Sequence, residues 1–183
     1  MSLSTEPSPS TEVISFDGSN LTESRLHSSV PFQIVVNVTP RRILHTIVDE
    51  GASIRIISST SWQAIGSPLL VPATDQILAF NRRPTTPLGT LPYLPITLGG
   101  KIVYVDVMVV QVPLYFNMLL GCDYVYTVKD VVSTLFRVMC FPHDGKIVTI
   151  DQISFIKLDY RVTPSHQTSL NALHVFVALP PSS

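Results

Sequence analysis

An all-β barrel or sandwich is predicted for this 183-residue chain by three features of its sequence. Short runs of β-branched and aromatic residues follow one another closely, glycine or proline bounds them, and helical patterning is scarce. The runs are Phe32–Val38, Arg42–Val48, Ser53–Ile57, Gln76–Phe80, Tyr93–Leu98, Lys101–Val110 and Lys146–Ile150. Gly99-Gly100 joins two of them and Asp144-Gly145 precedes another. Both dipeptides signal tight hairpins, because primed turns need residues that accept positive φ. Helix is expected only as single short turns, over Ser58–Gly66 and Gly121–Val128.

Composition sets the boundaries. Residues 1–29 are rich in Ser, Thr, Glu and Pro and read as a disordered linker that buries too little apolar surface to order itself. The core domain is expected over residues 30–156. A tail follows over 157–183, in which the apolar patch Ala172–Leu179 reads either as an added edge strand or as a frayed end.

Hydrophobic residues make up 45% of the chain and charged residues 14%. The most apolar stretch, Ile102–Gly121, is interrupted by Asp106, Gln111, Pro113 and Asn117 before it reaches the ~18 residues of a membrane-spanning helix. It reads as sheet core, and no membrane partner is expected. The formal charge of −1, with no basic cluster larger than Arg41-Arg42 or Arg82-Arg83, gives little support to nucleic-acid binding. The N-terminus lacks a charged-then-apolar leader, so the expected location is the cytosol, or wherever a larger parent polypeptide goes, and not the secreted space. Cys122 and Cys140 read as isolated thiols, and His27, His45, His143, His166 and His174 have no ligand spacing. Neither a metal nor a cofactor is implied. His143 reads as a solvated turn residue, and Trp62 and the four methionines as core.

The chemistry concentrates at Ile47-Val48-Asp49-Glu50-Gly51-Ala52-Ser53. A strand that delivers Asp49 to a tight turn, followed by small residues that permit close backbone approach, holds a carboxylate rigidly at a surface. Taken alone, Asp-x-Gly is also an ordinary turn. Some 70 residues on, Leu119-Leu120-Gly121-Cys122-Asp123 again runs an apolar strand into a glycine and an aspartate before a short helix.

These two motifs together resemble the retropepsin-like aspartic proteases, particularly the protease segment of Gag-Pol polyproteins from plant gypsy-type long-terminal-repeat retrotransposons. That family carries an apolar-apolar-Asp-Thr/Ser-Gly-Ala/Ser motif and a downstream Ile/Leu-Leu-Gly-Arg-Asp motif. The strings Ser61–Pro68, Leu98–Lys101 and Phe141–Phe155 extend the resemblance over roughly residues 30 to 156. It implies a closed β-barrel with one or two short helices, forming half of a two-fold enzyme. Asp49 would be the catalytic acid, Glu50, Gly51, Ala52 and Ser53 its loop, and Leu120, Gly121, Cys122 and Asp123 the support behind it. Phe80, Asn81, Arg82 and Arg83 would belong to the flap that closes over a peptide, although a polar surface loop predicts the same composition there. Because water activation by this chemistry needs two carboxylates and the chain holds one such motif, the implied partners are a second copy of the chain and a peptide or polyprotein substrate.

Two departures from the family pattern bear on activity. Glu50 stands where the family has Thr or Ser, and Cys122 where it has an arginine. Glu50 would then face solvent, take a proton or pair with Arg55. No zinc knuckle precedes the segment and no reverse-transcriptase motif follows it, so the chain reads as a fragment or a degenerate copy. The alternative to an endopeptidase is an inactive barrel that at most dimerises or binds peptide by strand addition. A third reading is an unrelated β-rich module in which Asp49 is a turn residue.

Overall fold

The computed structural model describes residues 13–16, 30–78, 84–152 and 177–179. Six strands close into a barrel in the order β1-β2-β8-β3-β7-β6. They are β1 (Gln33–Val38), β2 (Arg41–Val48), β3 (Arg55–Ser58), β6 (Gly89–Leu98), β7 (Lys101–Val110) and β8 (Met118–Leu120). The expected all-β barrel is therefore the fold, with two short helices, α1 (Ser59–Ala64) and α2 (Cys122–Val128).

Period-two alternation places the core. In β7, Val103, Val105, Val107 and Val109 point inward, while Ile102, Tyr104 and Asp106 point out. Along β1, Ile34, Val36 and Val38 fill the same interior. Both expected hairpin turns form. Gly99 and Gly100 have φ of 54° and 87°, and Asp144 and Gly145 have φ of 51° and 71°, the double positive φ that type I′ turns require. β6 and β2 each carry one non-glycine residue in this region, Tyr93 and His45, where the strands bulge. The Tyr93 bulge is pinned by its N–H, which donates to the Asp106 carboxylate at 2.9 Å.

Two strands of one sheet depart from the sequence expectation. β9 (Val131–Ser133) and β10 (Val138–His143) join β11 (Lys146–Asp151) in a three-stranded sheet, and the sequence pattern predicts a strand at neither. β9 is too short to show a period, and Pro142 in β10 argues against a strand. Pro142 is tolerated because it lies one residue from the strand's end, beside the turn. β4 (Gln76–Leu78) lies in the expected run Gln76–Phe80 and pairs antiparallel with β5 (Pro84–Thr85), and β12 (Val177–Leu179) adds to β4 as a strand, one of the two readings open for the patch Ala172–Leu179. Met118 and Met139 are fully buried and Trp62 packs against the core, its indole N–H donating to the Pro68 carbonyl. Met1 lies outside the described residues.

Candidate active-site loop

Asp49 leaves the end of β2 where that strand runs parallel to β8, with Val48 opposite Leu120. Its N–H continues the ladder by donating to the Leu120 carbonyl at 3.0 Å. The chain then turns: Ala52 N–H donates to the Asp49 carbonyl at 3.1 Å, and Gly51 N–H donates to Asp49 Oδ1 at 2.9 Å. The carboxylate is thus fixed by its own loop while staying half-buried, and Glu50 beside it is exposed.

The second motif clamps this loop from behind. Cys122 N–H donates to the Ala52 carbonyl at 2.8 Å. A Cβ on Gly121 would stand 2.4 Å from the carbonyl oxygens of both Ala52 and Ile54, closer than any side chain can approach. Ala52 and Leu120 are fully buried at this junction. The structure therefore brings Asp49, Gly51, Ala52, Leu120, Gly121 and Cys122 into one unit. Ser53 follows on the same loop toward β3. Phe80, Asn81, Arg82 and Arg83 lie outside the described residues, between the paired strands β4 and β5.

Of the three accommodations open to Glu50, pairing with Arg55 is not the one adopted. Arg55 Nη1 donates instead to Asp123 Oδ2 at 3.1 Å, and its Nε donates to the Asp106 carbonyl at 2.7 Å. Glu50 faces a cleft of about 490 Å³ that it lines together with Cys122, Val125, Tyr126, Lys129 and Asp130.

Asp130 is the residue of this region that sequence reasoning missed. Neither of its carboxylate oxygens has a hydrogen-bond partner among the described residues, although both are buried. Burial first, and the Glu50 charge second, push its pKa up to about 7; its own backbone N–H and the Lys101 ammonium pull the other way more weakly. Lys101 itself is engaged with the Val128 and Pro142 carbonyls. The phenol of Tyr124, buried on the inner face of α2, is also pushed up by burial and by Asp130. The Lys129-Asp130 pair after the helix was the available signal, and it reads as a solvated helix end until the fold closes around it.

Among the described residues no group of three potential metal ligands is close enough to hold an ion, and no helix is long and apolar enough to cross a membrane. The site offers one oriented carboxylate per chain and a second, protonatable one nearby.

Comparison with solved structures places the fold. The chain is similar to the retroviral protease-like domain of Ddi1 from Leishmania major, with a TM-score of 0.51 at 11% identity over 66% of this chain and 94% of that one. A further similarity is to a retropepsin-like aspartic protease from Rickettsia conorii, with a TM-score of 0.41 at 20% identity over 55% of this chain and 75% of that one. No protein-family model and no curated protein sequence matches the chain. The architecture is that of the retropepsin-like barrel.

Proposed function

We propose that the chain is one half of an aspartic-type endopeptidase, in which Asp49 from each of two copies meets across a two-fold axis. The reading rests on one observation: a half-buried carboxylate, oriented by the Gly51 N–H, sits on a loop that Gly121 and Cys122 brace within a retropepsin-like barrel.

The chemistry follows from pairing. Two carboxylates in contact share one proton, because adjacent like charges disfavour double ionisation. The ionised one takes a proton from a water whose oxygen attacks the scissile carbonyl carbon. The protonated one gives its proton to the carbonyl oxygen. Collapse of the tetrahedral species breaks the C–N bond and passes a proton to the departing amine. The substrate is an extended peptide segment, and the sequence resemblance makes it a Gag-Pol polyprotein of a plant gypsy-type element. The peptidase would act in the cytoplasm or within the element's particle.

A second reading, a barrel of this fold without turnover, is favoured by Glu50. Its charge already raises a neighbouring carboxyl within one chain, and a two-fold axis would bring a second copy of it close. One experiment separates the two. The purified chain is incubated with a polyprotein-junction peptide at mildly acidic pH over a range of chain concentrations. Peptidase function requires cleavage that rises with the square of chain concentration at the low end and disappears in Asp49→Asn. Cleavage that persists in Asp49→Asn ends the proposal. No cleavage by the native chain, with turnover appearing in the Glu50→Thr, Cys122→Arg double variant, selects the silent barrel.

A further inference from the structure

The three-stranded sheet has two faces. Met139, Phe141 and Ile150 point from β10 and β11 into the barrel core. The alternate positions are paired Val138 with Asp151, Cys140 with Thr149, and Pro142 with Ile147, and they point away from it. Residues on such a face are expected to meet solvent. Cys140 is nevertheless only 2% exposed, its Sγ lying 3.5 Å from the Thr149 hydroxyl.

A segment of the N-terminal region packs beside part of this face. This segment, Val13–Phe16, alternates exposed, half-buried, exposed, half-buried, so that Ile14 and Phe16 turn inward. The Phe16 ring stacks on Phe136 with centroids 4.7 Å apart and planes inclined by 12°. The segment leaves beside it a space of about 510 Å³ that it lines together with Phe136, Val138, Cys140, Ile147, Thr149 and Asp151. The sequence Val-Ile-Ser-Phe is the one apolar island in residues 1–29, a stretch whose composition otherwise argues against any packing.

We propose that the outer face of the β9-β10-β11 sheet is a docking groove for an extended segment with apolar side chains two residues apart, and that its occupant is this chain's own Ile14 and Phe16, bound in cis. The spacing of the two anchors matches the period of the sheet. The aromatic anchor has an aromatic receptor in Phe136, and Cys140 lines the same groove.

Cys140 therefore reports occupancy, with the half-exposed Cys122 as an internal reference at each fixed chain concentration. The full chain is alkylated with iodoacetamide, and the rate at each thiol is read by peptide mass spectrometry at two chain concentrations. Cys140 is expected to react much more slowly than Cys122. Phe16→Ala and Ile14→Ala each raise the Cys140 rate about tenfold, as loss of an apolar anchor dictates, whereas Val13→Ala leaves it unchanged. A synthetic peptide covering residues 11–18, added in excess to Phe16→Ala, restores protection. Unchanged rates in both anchor variants overturn the proposal, as does a rise that the peptide does not reverse, since the sheet itself has then been disturbed. Protection that strengthens with chain concentration also overturns it, by assigning the groove to the segment of a second copy.

Discussion

Arg55 on β3 and Asp123 in the first turn of α2 are joined by an ion pair of 3.1 Å across 68 residues of chain, directly behind the loop that carries Asp49. The family motif that this chain resembles has an arginine at the position of Cys122. Here the cation comes from the strand and the anion from the helix. The carboxylate at Asp123 also suits the positive end of the α2 backbone dipole.

The two partners are not equivalent. The Asp123 side chain is 60% exposed and the Arg55 side chain 21%. Arg55 in addition donates to the Asp106 carbonyl, which loses that donor when the guanidinium is removed. Arg55→Met is therefore expected to cost about 1.5–3 kcal/mol, and Asp123→Asn less than about 1 kcal/mol. Urea unfolding of the two single variants and the double variant measures both, and equal losses would contradict this assignment.

Gly121 carries a sharper expectation. Its Cβ position collides with two backbone carbonyls that belong to the Asp49 loop, so nothing flexible is available to yield. Gly121→Ala should cost about 3 kcal/mol or more and displace the loop. Thermal unfolding gives the first, and loss of cleavage exceeding the loss of folded protein gives the second. A near-native melting temperature would remove Gly121 from the clamp.

How much of this was legible in the sequence depended on the range of the interaction. The turns at Gly99-Gly100 and Asp144-Gly145 were readable because positive φ at two consecutive residues is a local demand that residue type answers. Val103 to Val109 disclosed a buried face by alternation alone. The Arg55–Asp123 pair was not readable, because which of several acids an arginine meets depends on the barrel's closure order. Asp130 was missed for the same reason: a polar residue after a helix looks solvated until Glu50, 80 residues earlier, is folded beside it.

Asp49 itself should be a stability-silent residue. Its Oδ1 accepts from the Gly51 N–H, and an asparagine amide oxygen at that place accepts the same bond. Asp49→Asn is expected to stay within about 0.5 kcal/mol of the native chain while any peptidase activity falls by about 10²- to 10⁴-fold or more, the range that proton transfer by a positioned group contributes. Denaturation midpoints beside initial cleavage rates test this. A large stability change would mean that the carboxylate serves the loop and not the reaction.

The last expectation concerns pH and belongs to Asp130. Its folded-state pKa is raised to about 7 from an ordinary value near 3.8, so the folded protein holds this proton more tightly than the unfolded chain does. The sign follows from linkage: the stabilisation is complete below pH about 4 and is lost as pH rises through about 7. Between these limits the native chain should lose stability relative to Asp130→Asn, whose amide does not titrate. Glu50 is the second cause of the shift, so Glu50→Gln should move the transition toward lower pH without abolishing it, because burial, the larger cause, remains. Melting temperatures of the three proteins from pH 4 to pH 8 decide the matter. Parallel curves for the native chain and Asp130→Asn would place the titrating carboxyl elsewhere, and an unshifted curve for Glu50→Gln would mean that the two acids do not sense each other across the cleft.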